Sequence, residues 1–144
     1  MRFDLIRSRL VQSVSLAGAV TSLIVSPWGN FDPISVVKMT SVSTFGFIIL
    51  GLLLAGRNQV FVRENKFLII GAGSFVSWML IVLVFSGAPV NQQIWGVFGR
   101  NTGLLTYVSL VLILFGTAVI KDREGYSSIV NSIILVSIPM TMYC

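Results

Sequence analysis

The segment FGRNTGLLTY, residues 98 to 107, sets an arginine between glycines just before a long apolar run. A guanidinium presents a planar fork that donates two parallel hydrogen bonds to a phosphate. A helix starting near residue 102 would add free backbone N–H groups and the positive end of its dipole, both of which favour an anion. Gly99 and Gly103 would let a headgroup approach the backbone closely. Arg100 is therefore a candidate phosphate-binding residue, and its simplest alternative role is to anchor the helix to outer-leaflet lipid phosphates. Lys38, within VVKMT, is the second candidate. A lysine among valines and a methionine snorkels, faces a polar cavity or finds an anion. Ile34 and Lys38 are spaced to share a helix face, so the ammonium can lean back towards Asp32.

Other chemistry is sparse. The 144 residues include no histidine and 1 cysteine, Cys144, which removes imidazole catalysis, zinc sites and an internal disulfide from this stretch. GVFGRNTG lacks the Lys-Ser/Thr of a P-loop and the glycine spacing of a dinucleotide loop. No catalytic residue, metal ligand set or cofactor motif is assigned, and Asp32 before Pro33 is explained as a helix cap.

The elements that must position these cations are apolar helices. The chain is 55% hydrophobic and 10% charged, with a mean hydropathy of +0.91. A soluble domain of this size cannot hide so much apolar surface. Runs at 11–27, 36–55, 67–85 and 104–120 each approach the roughly 20 residues needed to cross hydrocarbon. A fifth occupies 127–144. The expected fold is all-α, a polytopic transmembrane bundle of about five helices forming a single region over 1–144. Their bounds are roughly 10–27, 34–56, 67–86, 102–120 and 127–144. Asn101 or Thr102 would cap the fourth helix and Ser127 or Ser128 the fifth, with KDREG as a solvated turn between them. Arginines before the first run suggest a signal peptide, but no A-x-A cleavage site follows, so it reads as a retained helix. Gly18/Ser22 and Gly73/Ser77 are small pairs suited to close helix packing. Gln12 and Asn131 are the amides within the runs, both near expected cytoplasmic ends.

Charge orients the bundle. Arg2, Arg7 and Arg9, then Arg57, Arg63 and Lys66, then Lys121 and Arg123 all fall on one side, leaving only Lys38 and Arg100 of the 10 basic residues on the other. The positive-inside rule places the N-terminus and the second and fourth connections in the cytoplasm, and loops 26–35 and 86–102 outside. Trp28, Trp95 and Phe98 fall at outer boundaries, where aromatic rings favour the headgroup layer. The same bias accounts for a pI near 10 without nucleic acid. AGRNQV at 55–60 repeats Gly-Arg-Asn and acts as an internal control. Arg57 follows a helix on the basic side, where the dipole and anionic headgroups both favour it. Arg100 stands against both trends.

A basic N-terminus, then PWGNFDPISVVKMT, then an outer FGRNTGLLTYVSL leading into the fourth helix, resembles the N-terminal portion of the O-antigen ligase and polymerase superfamily. Many O-antigen-ligase-like members carry F-G-x-x-x-R-x-x-G-L-L-x-Y in a similar place. FGRNTGLLTY matches its arginine, glycine, paired leucines and tyrosine, with a shorter approach from the first glycine. The resemblance implies a metal-independent membrane glycosyltransferase in the bacterial inner membrane. It would move a glycan from undecaprenyl diphosphate to a lipid, glycan or protein acceptor at the outer face. Arg100 would then contact the diphosphate, with Lys38 a weaker second contact. Members usually have ten or more transmembrane helices and an acceptor-activating histidine in a later outer loop. This chain is accordingly expected to be the N-terminal part of a longer protein, inactive alone. A multi-pass transporter or channel component, with the two cations along an anion path, is the competing expectation. A lipid-binding assembly subunit is a third.

The orientation is directly testable. In a Cys144→Ser background, an impermeant thiol reagent should label Asn101→Cys in intact cells and Asn58→Cys only after permeabilisation; outside labelling of position 58 contradicts the charge map.

Overall fold

The computed structural model describes residues 2–24, 35–56, 65–97 and 102–143. Among them the chain forms six helices and no strand: α1 (Arg2–Leu23), α2 (Ser35–Ala55), α3 (Lys66–Phe85), α4 (Val90–Trp95), α5 (Leu104–Val119) and α6 (Arg123–Tyr143). The expected Asp32–Pro33 cap, Trp28 and Phe98 lie outside the described residues.

Three segments are long and apolar enough to cross a membrane: Val36–Ala55, Lys66–Phe85 and Arg123–Met142. Length and composition thus support three spans where the apolar runs suggest five. α5 is apolar but only 16 residues long. α1 reaches 22 residues by starting at Arg2 rather than near residue 10, which brings Arg2, Asp4, Arg7 and Arg9 into the helix. The chain is an all-α membrane protein. α3 shows this most plainly, since it buries no residue. Phe67 is 86%, Trp78 64% and Phe85 82% exposed, a surface suited to lipid or protein rather than water. Three hydroxyls of the first span are satisfied locally, while that of buried Ser43 is not. Thr40, Ser41 and Thr44 of α2 donate to the carbonyls of Val36, Val37 and Thr40 at 2.8, 2.9 and 2.8 Å.

The centre of the bundle is built by α1, α2, α5 and α6. Leu10, Val14, Ile49, Leu53, Ile120 and Ile129 form its buried cluster. α2 and α5 touch through small residues. A Cβ at Gly46 would lie 2.8 Å from Ser109 Cβ and 2.9 Å from its Cα. One at Gly116 would lie 2.7 Å from Ile49 Cγ2. Ser109 is fully buried and donates its hydroxyl to Leu105 O at 2.7 Å, so the contact leaves that group paired. Gly18 and Gly73 do not play this part: Gly18 meets only Ile133 at 4.0 Å, and nothing lies within 4 Å of a Cβ at Gly73.

These contacts give the helix directions. Gly46 with Ser109, and Ile49 with Gly116, make α2 and α5 parallel. Arg7 with Asp122, and Gly18 with Ile133, do the same for α1 and α6. Ile6 beside Gly56, and Val14 at the level of Ile49 and Gly116, set α1 antiparallel to α2. Arg7 and Arg9, the end of α2, Ile120 and the start of α6 therefore share one end of the bundle. Lys38 and the N-terminus of α5 share the other.

Two groups of glycines should respond oppositely to alanine. Gly46→Ala and Gly116→Ala should destabilise the protein by about 1–3 kcal/mol through overpacking. Gly51→Ala, with nothing within 4 Å of the added Cβ, should be neutral or stabilise by up to roughly 1 kcal/mol. Thermal unfolding in detergent reads both; equal effects at all three positions would contradict the α2–α5 contact.

Candidate functional site

The non-basic end of the bundle carries a lateral cleft of about 310 Å³ between α3, α4 and the start of α5. α3 lends Trp78, Met79, Val82 and Leu83, and α5 lends Leu104 and Tyr107. Ser86, Gln93 and Thr102 add polar groups to this apolar wall. The size and lining suit a small apolar or amphipathic ligand. The antiparallel pairing of α3 with α5 is pinned by Phe75 and Tyr107, whose rings meet edge-on with centroids 6.4 Å apart.

The short helix α4 lies within the stretch expected to be a plain outer loop. Gly87, at φ 65°, turns the chain out of α3, and Gly96, at φ 90°, ends α4, where its N–H donates to Gln92 O at 2.8 Å. Gln93 Nε2 donates back to Ala88 O at 2.5 Å and closes the turn on itself. Glycine at those positive angles was the readable signal; the helix itself is too short for a periodic one.

The start of α5 differs from expectation. Its cap is Gly103, with no side-chain hydrogen bond, rather than Asn101 or Thr102. The Gly103 carbonyl accepts from Thr106 and Tyr107 N–H at 3.1 and 3.3 Å. A Cβ at Gly103 would overlap the Ile94 carbonyl oxygen and the Gly96 amide nitrogen. Gly103 therefore lets the end of α4 approach the backbone and fill the opening expected for a headgroup. Thr102 lies in the cleft wall and is exposed.

Arg100, Gly99 and Asn101 lie outside the described residues. Arg100 precedes Thr102 by two residues in the chain. Lys38 is half-buried in the first turns of α2, at the same end of the bundle, but it does not line the cleft. The structure thus keeps the second candidate cation near the same end without bringing it into the groove.

The basic end carries a second constellation. α6 starts at Arg123, not at 127, and its cap is Asp122 rather than Ser127 or Ser128. Asp122 Oδ2 accepts from Gly125 N–H at 2.7 Å and from Arg7 Nη2 at 2.8 Å, tying α6 to α1. KDREG is therefore a cap and first turn, not a free loop. Its signal was an aspartate three residues before a glycine whose added Cβ would meet the carboxylate at 2.8 Å. Desolvation pushes the Asp122 pKa up, but the Gly125 N–H bond and the Arg7 guanidinium outweigh it and hold the carboxyl below its ordinary 3.8. A polar cleft of about 390 Å³ beside this pair is lined by Arg7, Ser8, Gln12, Glu124 and Ser128.

No family model matches the chain, and no curated protein or solved structure matches it significantly.

Asp122 gives a pH-dependent expectation. A carboxylate whose folded pKa is depressed contributes stability above its unfolded value, and that contribution fades as pH falls through the folded pKa. Asp122→Ala should lower stability at pH 7 by about 1 kcal/mol through the lost cap. Asp122→Asn, still a capping residue, should lose only the weaker ion pair. Unfolding midpoints of wild type and Asp122→Asn should converge below pH 3.8. A gap that stays constant to pH 3 would contradict the assignment.

Proposed function

We propose that this chain is the substrate-binding part of a membrane glycan ligase or polymerase related to the O-antigen ligase superfamily. In this reading it crosses the bacterial inner membrane five times, with its N-terminus cytoplasmic and Arg100 at the outer face. The substrate is a glycan on undecaprenyl diphosphate, and the acceptor is a lipid, glycan or protein hydroxyl. The observation that carries the reading is the apolar cleft between α3, α4 and α5, with Thr102 in its wall two residues after Arg100. A polyprenyl diphosphate needs an apolar channel open to lipid and a cation where that channel ends in the headgroup layer.

The division of labour follows from the chemistry. The acceptor oxygen bonds to the anomeric carbon as the bond from that carbon to the diphosphate oxygen breaks, and the acceptor proton leaves to a base. Negative charge grows on the departing diphosphate. Arg100 would stabilise it with two parallel hydrogen bonds, and the start of α5 at Gly103 adds a dipole of favourable sign. Trp78, Val82, Leu83 and Tyr107 would hold the first isoprenes and fix the diphosphate against the arginine. The half-buried Lys38, at the same end, supplies a longer-range positive field. The alternating helix directions and the gathering of Arg7, Arg9 and the start of α6 at one end fit the proposed topology.

Glycan transfer by the full-length protein tests the reading. Arg100→Ala should reduce transfer at least a hundredfold, as loss of a charge-stabilising donor does. Arg100→Lys should recover little, because lysine lacks the planar fork. Near-normal transfer by both variants would remove the diphosphate role. Transport of a small anion by the wild type, without glycan transfer, would favour a transporter instead.

A further inference from the structure

Outside the cleft, the most unusual surface is a polar strip on the outer side of α1 and α6. On α6, Glu124, Ser128 and Asn131 recur at helical spacing on one flank, with Arg123 and Ser127 beside them, and all five are exposed. On α1, Ser8 and Gln12 face the same cleft as Glu124 and Ser128 and are exposed as well. Asn131 is eight residues into a helix long enough to span, or about 12 Å along its axis from Arg123. In a helix that crosses the bilayer from Arg123, that depth falls within hydrocarbon, where acyl chains give a carboxamide nothing to bond. The flank turned the other way buries Gly125, Ile129 and Val136, so the strip is what α6 leaves uncovered after packing on α1.

We propose that this strip is the interface through which a second copy of the chain docks, side by side and in the same orientation. The chemistry of the strip favours its own copy. A carboxamide both donates and accepts, so Asn131 and Gln12 can pair reciprocally across a two-fold axis along the membrane normal. The rim carries Arg123 next to Glu124, and the same rotation sets each opposite the other's counter-charge. α1 and α6 run parallel, so the strip lies along that axis and both copies keep one topology. Helices in lipid associate through close packing and through interhelical hydrogen bonds, and the strip supplies the second. The inference does not depend on the function proposed above.

The test uses the full-length protein in native membranes, expressed with two different tags in a Cys144→Ser background. Wild-type copies should co-purify. Gln12→Leu with Asn131→Leu should weaken that co-purification about tenfold, the scale of one or two interhelical hydrogen bonds, while Asn131→Gln should keep it. Mild oxidation should link Asn131→Cys between copies and leave Leu110→Cys, at an exposed position of α5, unlinked. This second readout stands even if the leucine variant fails to fold. A monomeric wild type, association indifferent to the leucine pair, or equal cross-linking at 110 and 131 would each overturn the proposal. The first outcome would reassign the strip to lipid headgroups or to another helix of the same protein.

Discussion

The close approach of α2 and α5 is the constraint on which the rest of the bundle depends. Two helices in lipid gain little from hydrophobic burial, because acyl chains are as apolar as leucine. They associate where backbones come near enough for dense dispersion contact. Gly46 against Ser109 and Gly116 against Ile49 provide that approach at two levels of the parallel pair. The buried cluster of Leu10, Val14, Ile49, Leu53, Ile120 and Ile129 forms around it. With α5 fixed in height and rotation, its N-terminus is fixed too, and so is the wall on which α3 and α4 lean. The cleft follows from the glycine contact.

The two ends of the bundle are organised differently. At the basic end, polar groups are tied to one another: Asp122 caps α6, accepts from Arg7 and so joins the first helix to the last. At the other end, backbone takes the place of side chains. Gly103 admits the end of α4 and caps α5 without a side chain, and Gln93 Nε2 donates to Ala88 O within its own turn. A tied end suits a structural clasp. A helix start capped by backbone beside an apolar cleft suits a ligand that brings its own negative charge.

The helical class was readable because long apolar runs have one stable form in lipid, and their lengths follow from bilayer thickness. The start of α1 was not, since Arg7, which reads locally as a free cytoplasmic cation, pairs with Asp122, a partner far along the chain. The cap of α6 was misread for a related reason: Ser127 and Ser128 look like caps locally, but Asp122 reaches the Gly125 N–H first. Gly46 and Gly116 have no small residue four positions away on their own helices, because their partners are on other helices. Lys38 could be named from its type and spacing, but Gly103 caps α5 where Asn101 or Thr102 was expected. The cleft could not be named, as its lining comes from three helices and its α4 wall leaves no periodic trace.

The most direct test of the central claim is photo-cross-linking of the full-length protein in membranes with a photoreactive polyprenyl diphosphate, followed by peptide mapping. The account predicts label concentrated on the Trp78–Leu83 and Leu104–Tyr107 segments, competed by unlabelled polyprenyl diphosphate and weakened by Arg100→Ala. Label spread evenly over the lipid-facing surfaces of α3 and α6, unaffected by the competitor or by the arginine, would contradict it.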